Sequence, residues 1–151
     1  MGVEIERKFL VTGEGWQADA EPGMSIRQAY LSSGPAASVR VRIVGESAAR
    51  LTVKSAGAAL SRCEFEYDVP VADAAAMLAL RQGAVIVKTR YRIAAGEGRA
   101  WEIDVFGGVH AGLVIAEIEL GAEDEAFARP DWLGAEVTSD PAYSNAALAL
   151  A

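Results

Sequence analysis

A chain of 151 residues, 52 % of them apolar, is long enough to bury a core of its own, and the single cysteine, Cys63, excludes an internal disulfide and a cysteine-based zinc cluster. The formal net charge of −7 argues against non-specific binding to nucleic acid or to a membrane surface. No apolar run approaches the roughly 20 residues that span a bilayer, and the charged N-terminus is unlike a secretory signal, so the expected location is the cytoplasm.

Period-two alternation predicts strands over 3–11, 25–32, 38–45, 50–56 and 62–69, broken by the turn-forming stretches EPGM, SSGPAA, VGES and SAGAA. PVADAAAMLALRQG predicts a helix between Pro70 and Gly83, with Asp73 near its start. Three further strands are expected over 85–94, 99–106 and 113–121. AEDEAFARPDWLG suggests a short helix closed by Pro130, and SNAALALA a C-terminal helical turn or two with Ser144 as N-cap. There is no repeat, low-complexity tract or linker. The expected architecture is therefore α+β: one domain over 1–151, with eight mostly antiparallel strands and a few helices.

The alternation carries charge in an unusual way. VEIERKFLV sets Glu4, Glu6 and Lys8 opposite Val3, Ile5, Phe9 and Val11. SVRVRIV aligns Arg40 with Arg42, and RLTVKS aligns Thr52 with Lys54. RCEFEYDV aligns Arg62, Glu64, Glu66 and Asp68, and VKTRYRI aligns Lys88, Arg90 and Arg92. WEIDVF and AEIEL contribute Glu102 with Asp104 and Glu117 with Glu119. A solvated sheet face mixes Thr, Ser and Gln among its charges. Here nearly every polar position is ionic, and the pattern extends over seven strands. The reading that accounts for it turns the charged faces inward, in a closed eight-stranded sheet, and the apolar faces outward under covering helices.

Such an interior needs a ligand. Like charges two residues apart on a strand lie about 7 Å apart and repel by roughly 2 kcal/mol at an effective dielectric near 20. Converging Lys and Arg suit a polyanion, and forked guanidinium groups match phosphate oxygens. Carboxylate oxygens suit Mg²⁺ or Mn²⁺, which bridge phosphates and activate water. Together they point to metal-dependent phosphoryl chemistry on a compact polyphosphate.

ExExK at Glu4, Glu6 and Lys8 resembles the signature of the CYTH family, the triphosphate tunnel metalloenzymes. The likeness continues in order through YL, VRVR, LTVKS, LSRCEFEYDV, VKTRYRI, WEIDVFGG, AEIEL and EVTSDPAYSNAALA, and covers essentially the whole chain. The resemblance implies an eight-stranded antiparallel barrel forming a tunnel, acting on triphosphates with a divalent metal. By the same resemblance Lys8, Arg40, Arg42, Lys54, Lys88 and Arg90 bind phosphate. Glu4, Glu6, Glu117 and Glu119 are associated with the metal, with Asp104 and Glu66 as plausible additions. Arg62 and Glu64 match an R-x-E-x-E strand that in part serves as an ion-pair scaffold. Two departures stand out: Ala142 replaces a residue before Tyr143 that is often basic, and GAVIV lacks an extra base found in some members. Fewer contacts at one end of the tunnel would alter affinity for the terminal phosphate.

The bland reading of the carboxylates is pairing with neighbouring bases, and that of Arg27 and Arg92 is a strand end reaching solvent. Tyr30 either packs or places its hydroxyl near Lys88, where a lysine among other bases could act as a base. Tyr91, Trp16, Trp101 and Trp132 are expected to pack, and Cys63 to be a buried thiol. His110 has no partner for catalysis. The expected catalytic set is Lys88, Tyr30, Glu4 and Glu6, with Mg²⁺ or Mn²⁺ as cofactor and a small-molecule triphosphate as partner. Neither nucleic acid nor membrane is expected, and a homodimer stays open. Brief loops with no evident grip for a base or a thiamine ring favour inorganic tripolyphosphate. Cyclisation of ATP to cyclic AMP, thiamine triphosphate hydrolysis and a polyphosphate-binding module without turnover are the alternatives.

Overall fold

The computed structural model describes residues 2–55 and 62–150, with the backbone alone at residues 2–4 and 62. Its strands are β1 (Gly2–Glu4), β2 (Glu6–Val11), β3 (Met24–Ser33), β4 (Ala37–Val44), β5 (Ala48–Ser55), β6 (Arg62–Val69), β7 (Gln82–Gly96), β8 (Arg99–Phe106), β9 (Val114–Glu119) and β10 (Leu133–Glu136). Two α-helices join them, α1 (Val71–Met77) and α2 (Asn145–Leu150). All pairings are antiparallel, in the order β1-β6-β5-β4-β3-β7-β8-β9-β2-β10.

The hydrogen-bonded ladder is not an unbroken ring. The N-terminal strand, expected as one piece over 3–11, is interrupted at Ile5. Its first half pairs with β6, its second with β9, so the two ends of the sheet are tied through consecutive segments of one strand. Among the described residues every predicted strand is present, and β10 is additional.

Two predicted helices come out differently. The first ends earlier than expected: α1 passes into a 3-10 turn at Leu78–Leu80, and Gly83 already lies inside β7. The second, the short helix expected in AEDEAFARPDWLG and closed by Pro130, does not form. Its Ala and Glu residues have good helix propensity, but the apolar side chains are needed elsewhere. Phe127 packs edge-on against Phe9 and Trp101, Trp132 packs against Trp101, and Arg129 lies over the Phe9 and Phe127 rings. The chain then adds β10 to the free side of β2, held by the bidentate Arg7–Glu136 pair. Ser144 does cap α2, its Oγ accepting from the Ala147 amide at 3.1 Å.

Three apolar clusters follow. One lies on the outer face of β3, β4 and β5, where Ala29, Val41, Ile43 and Ala49 meet Ala74 of α1 and Leu78 of the following turn. A second lies outside β2, β7, β8 and β9, around Phe9, Trp101, Ile103 and Ile118, covered by Trp16 and the 121–132 segment. Burying each such large side chain contributes on the order of 2 kcal/mol. The third shares the face that carries the charges. Ile86 is directly across from Gln28, Phe106 from Lys88, and Ile115 from Asp104, and Leu148 and Ala149 of α2 pack onto them. The inner face is thus ionic over most of its length and stoppered by apolar side chains and α2 at one end.

Candidate active site

Strand register builds the basic side. Opposed residues on neighbouring strands share a face, so Tyr30, Arg40, Thr52 and Glu66 form one row across β3 to β6, and Gln28, Arg42, Arg50 and Asp68 the next. Arg40 is 5 % exposed and Thr52 1 %; the Arg40 Nη2 approaches Thr52 Oγ1 at 3.5 Å, and Thr52 donates to Glu66 at 3.0 Å. Arg42 Nε donates to Gln28 Oε1 at 2.6 Å. Lys54 pairs with Glu64 at 3.9 Å. Two donors buried here, Arg40 Nε and Gln28 Nε2, have no hydrogen-bond partner among the described residues.

The next strands supply a tight ionic knot. Asp104 accepts from Arg90 Nε at 2.7 Å and from its Nη2 at 2.9 Å, and Lys88 Nζ lies 2.7 Å from the same carboxylate. Burial opposes ionisation of Asp104, yet Lys88 and Arg90 hold its carboxyl well below the usual carboxylate range. Burial pushes the Lys88 ammonium down to about 8, with Arg42 and Arg90 adding to the push and Asp104 resisting it. Its Nζ also sits 5.3 Å from the centre of the Phe106 ring, at the edge of the apolar stopper. Arg42 is lowered to about 9 by burial, then by Arg40 and Arg90, and remains a cation at neutral pH.

Acids gather on the remaining strands. Glu6 is directly opposite Glu119, and Glu117 is directly opposite both Lys8 and Glu102. Like charges placed so are destabilising unless something intervenes. Glu6, Glu102, Glu117 and Glu119 line a cavity of about 300 Å³, together with Arg92 and Arg99. Lys8 Nζ lies 3.7 Å from Glu117 and donates to the Tyr143 carbonyl at 2.9 Å. Burial opposes ionisation of Glu117, and Lys8, Arg90 and Lys88 together outweigh it, leaving the carboxyl below its ordinary value. Among the described residues, no three carboxylates already converge on one point as a closed metal cage would require.

One inner face thus carries a cationic row, an ionic knot and an acidic chamber. The CYTH domain model covers residues 2–146. The chain belongs to the CYTH family. It is 46 % identical over 149 residues to the inorganic triphosphatase of Acetivibrio thermocellus, covering 98 % of this chain and 94 % of that one. It is 39 % identical over 151 residues to the inorganic triphosphatase of Nitrosomonas europaea, with 97 % of each covered. The crystal structure of the inorganic triphosphatase NE1496 superposes with a TM-score of 0.72 at 36 % identity over 98 % of both chains.

In this CYTH chain the inner face brings together Glu6, Lys8, Arg40, Arg42, Lys54, Lys88, Arg90, Asp104, Glu117 and Glu119. The side chains of Glu4 and Arg62 lie outside the described residues, though their backbones are paired to one another. Asp104 accepts from Arg90 and pairs with Lys88, and Glu66 accepts from Arg50 at 2.8 Å and from Thr52. Tyr30 is buried in the stopper beside Leu148 and Ala149, and among the described residues makes no hydrogen bond to Lys88.

Arg27 turns outward to an exposed bidentate pair with Glu46, and Arg92 reaches Glu21 at the surface. Cys63 is only partly buried, on a stretch of β6 where Phe65 and Tyr67 are also exposed. His110 has a structural partner, the Leu148 carbonyl of α2 at 2.6 Å. Tyr91 packs on Trp16 as expected. Ala142 sits exposed in the turn Pro141–Tyr143.

Sequence reasoning passed over Gln28, and gave Thr52 and Glu102 no role. All three alternate in phase with the charged positions. Phase was the available signal; Thr52 and Glu102 were placed on the charged face by it, and the uncharged Gln28 was not.

Proposed function

We propose that this chain hydrolyses triphosphates with the help of a divalent metal, and that its substrate is inorganic tripolyphosphate, split to pyrophosphate and phosphate. The observation that carries this is the segregation of bases and acids along one inner face, with buried cationic and amide donors left without acceptors on the basic side. Two relatives named inorganic triphosphatase, similar along nearly their whole length, support the choice of substrate.

Lys8, Arg40, Arg42, Lys54, Arg62, Lys88 and Arg90 are assigned to the phosphate chain. Their positive charge is in place before substrate arrives, so charge developing on the phosphoryl oxygens meets donors that need no reorganisation. Asp104 keeps Lys88 and Arg90 aimed, and Glu66 reaches Arg40 through Thr52. Apolar residues and α2 at the stoppered end exclude water, which strengthens every ionic contact nearby.

Glu6, Glu117 and Glu119, with Glu4, are assigned to the metal. Their donor chemistry fits a hard cation such as Mg²⁺ or Mn²⁺, which takes one or two carboxylates and completes its shell with water and phosphate oxygens; a preformed protein cage is not required. When bound, such an ion neutralises phosphate charge and lowers the pKa of water. In the reaction a water oxygen bonds to a terminal phosphorus as the bond to the bridging oxygen breaks, and the water proton must leave. Lys88, lowered by burial to about 8, is mostly the cation at neutral pH, and its minor neutral form is the group on this face that takes the proton up.

The test is a product assay on purified protein with Mg²⁺ or Mn²⁺, offered tripolyphosphate, ATP, thiamine triphosphate and pyrophosphate separately. Phosphate and pyrophosphate in equal amounts, with tripolyphosphate turned over fastest, is the expected result. Cyclic AMP from ATP would replace it with a cyclase, and binding without product with a polyphosphate-binding module.

A further inference from the structure

Gln28 is 1 % exposed, in the middle of β3, on the face that carries the bases. Its cross-strand neighbours are Arg42 on one side and Ile86 on the other, with Lys88 one step along the same face. The amide is half used. Oε1 accepts from Arg42 Nε at 2.6 Å, and Nε2 is buried and donates to nothing among the described residues.

That combination is costly unless a ligand completes it. A buried donor without an acceptor forfeits about 1–3 kcal/mol, and such groups are rare in folded proteins. The sequence could have avoided it. Methionine would fill the same space with no orphan, and glutamate would bond Arg42 more strongly. Methionine, however, would leave Arg42 Nε without its acceptor, and a carboxylate would cancel its charge and repel an anion. An amide supplies a neutral acceptor at one end and two N–H donors at the other. The same face carries a second buried orphan, Arg40 Nε, on the adjoining strand two residues from Arg42. Both require an acceptor, and the surrounding Arg40, Arg42 and Lys88 select an anionic one.

We propose that Gln28 is a further substrate-binding residue of this site: it fixes the Arg42 guanidinium through Oε1 and donates through Nε2 to a phosphate oxygen of the bound chain. This rests on the triphosphate reading and deepens it. It explains why a neutral residue stands in the cationic row. The Arg42 fork reaches substrate already oriented, and the amide adds a contact with no further repulsion among the bases.

Calorimetric titration of inorganic tripolyphosphate in EDTA and low salt, into wild type, Gln28→Met, Arg42→Met and the double variant, separates direct contact from mere support of Arg42. Gln28→Met is expected to weaken binding about tenfold, and to weaken it several-fold again when Arg42 is already methionine. An effect of Gln28→Met that vanishes in the Arg42→Met background would overturn the proposal, because Gln28 would then act only through its neighbour. Should Gln28→Met fail to fold, Gln28→Glu keeps the acceptor for Arg42 while removing the donor. Native affinity in that variant would overturn the proposal, and so would a loss that salt abolishes, since that is repulsion by the new carboxylate alone; a tenfold loss relative to wild type that persists as salt is raised, with an unchanged or higher Tm, supports it. Wild type that fails to bind tripolyphosphate sinks the triphosphate reading itself; native binding with no direct Gln28 effect sinks this inference alone.

Discussion

At the scale of single residues, Asp104 is the point on which the basic lining depends. One carboxylate serves both Lys88 and Arg90, and all three lie in a region of low water access. Removing one member of a buried ionic cluster leaves the others uncompensated and typically costs about 3–5 kcal/mol. Asp104→Asn is therefore expected to lower the denaturant midpoint by a corresponding amount. Tripolyphosphate should restore part of the loss, since the ligand supplies the missing negative charge. A midpoint within error of wild type would show that Asp104 is not the counter-ion.

Lys88 gives a pH signature of its own. Its ammonium titrates near 8 when folded and near its ordinary value of 10.5 when unfolded. Between those values the unfolded chain binds more protons, so stability rises with pH. Below about 8 the buried charge costs on the order of 3 kcal/mol, and the cost is relieved as pH approaches 10.5. The difference in unfolding free energy between wild type and Lys88→Met should shift in favour of wild type over that window. A flat difference would show that burial does not depress Lys88.

At the scale of elements, α2 is a short helix whose place depends on a glycine in another element. Gly83 has φ of +69°, and a Cβ at that position would run into the Ala149 carbonyl. A side chain therefore meets two penalties, the left-handed backbone and a clash with main chain. Gly83→Ala is expected to cost about 2–4 kcal/mol, displace α2 and admit water to the stoppered end, with Tm and amide exchange at 145–150 as readouts. Lys8 and His110 hold the same C-terminal segment through the Tyr143 and Leu148 carbonyls. The N-terminal strand thereby contacts both the acidic chamber and the stopper.

At the scale of the whole molecule, a chain with net charge −7 keeps a lining rich in Lys and Arg by enclosing it among its own carboxylates. A polyanion that replaces those carboxylates as partner binds the folded state and not the unfolded one. At a hundredfold excess over Kd this stabilises by about 2.7 kcal/mol. For a domain of this size that corresponds to a rise in Tm of roughly 5–11 °C. The rise is expected with tripolyphosphate in EDTA, and should shrink as salt is raised. No shift across the millimolar range would mean that the lining is not a polyanion site.

The sequence alone determined which residues of each strand share a face. Strand periodicity is a local property of the backbone, so the alternation of Arg40 with Val41 or Glu117 with Ile118 assigned each to the inner or outer face before any fold was known. The order of motifs identified the family for the same reason. Tertiary structure decided what periodicity cannot express. The break at Ile5 exists because one strand must satisfy partners at both ends of a curved sheet. The 121–132 segment gave up a helix because Phe127 and Trp132 gain more against Trp101 than helical hydrogen bonds return. Whether a carboxylate is spoken for, as Asp104 is, or a buried amide is left half used, as Gln28 is, depends on distances between strands far apart in the chain. Those distances are set only when the sheet curls and packs.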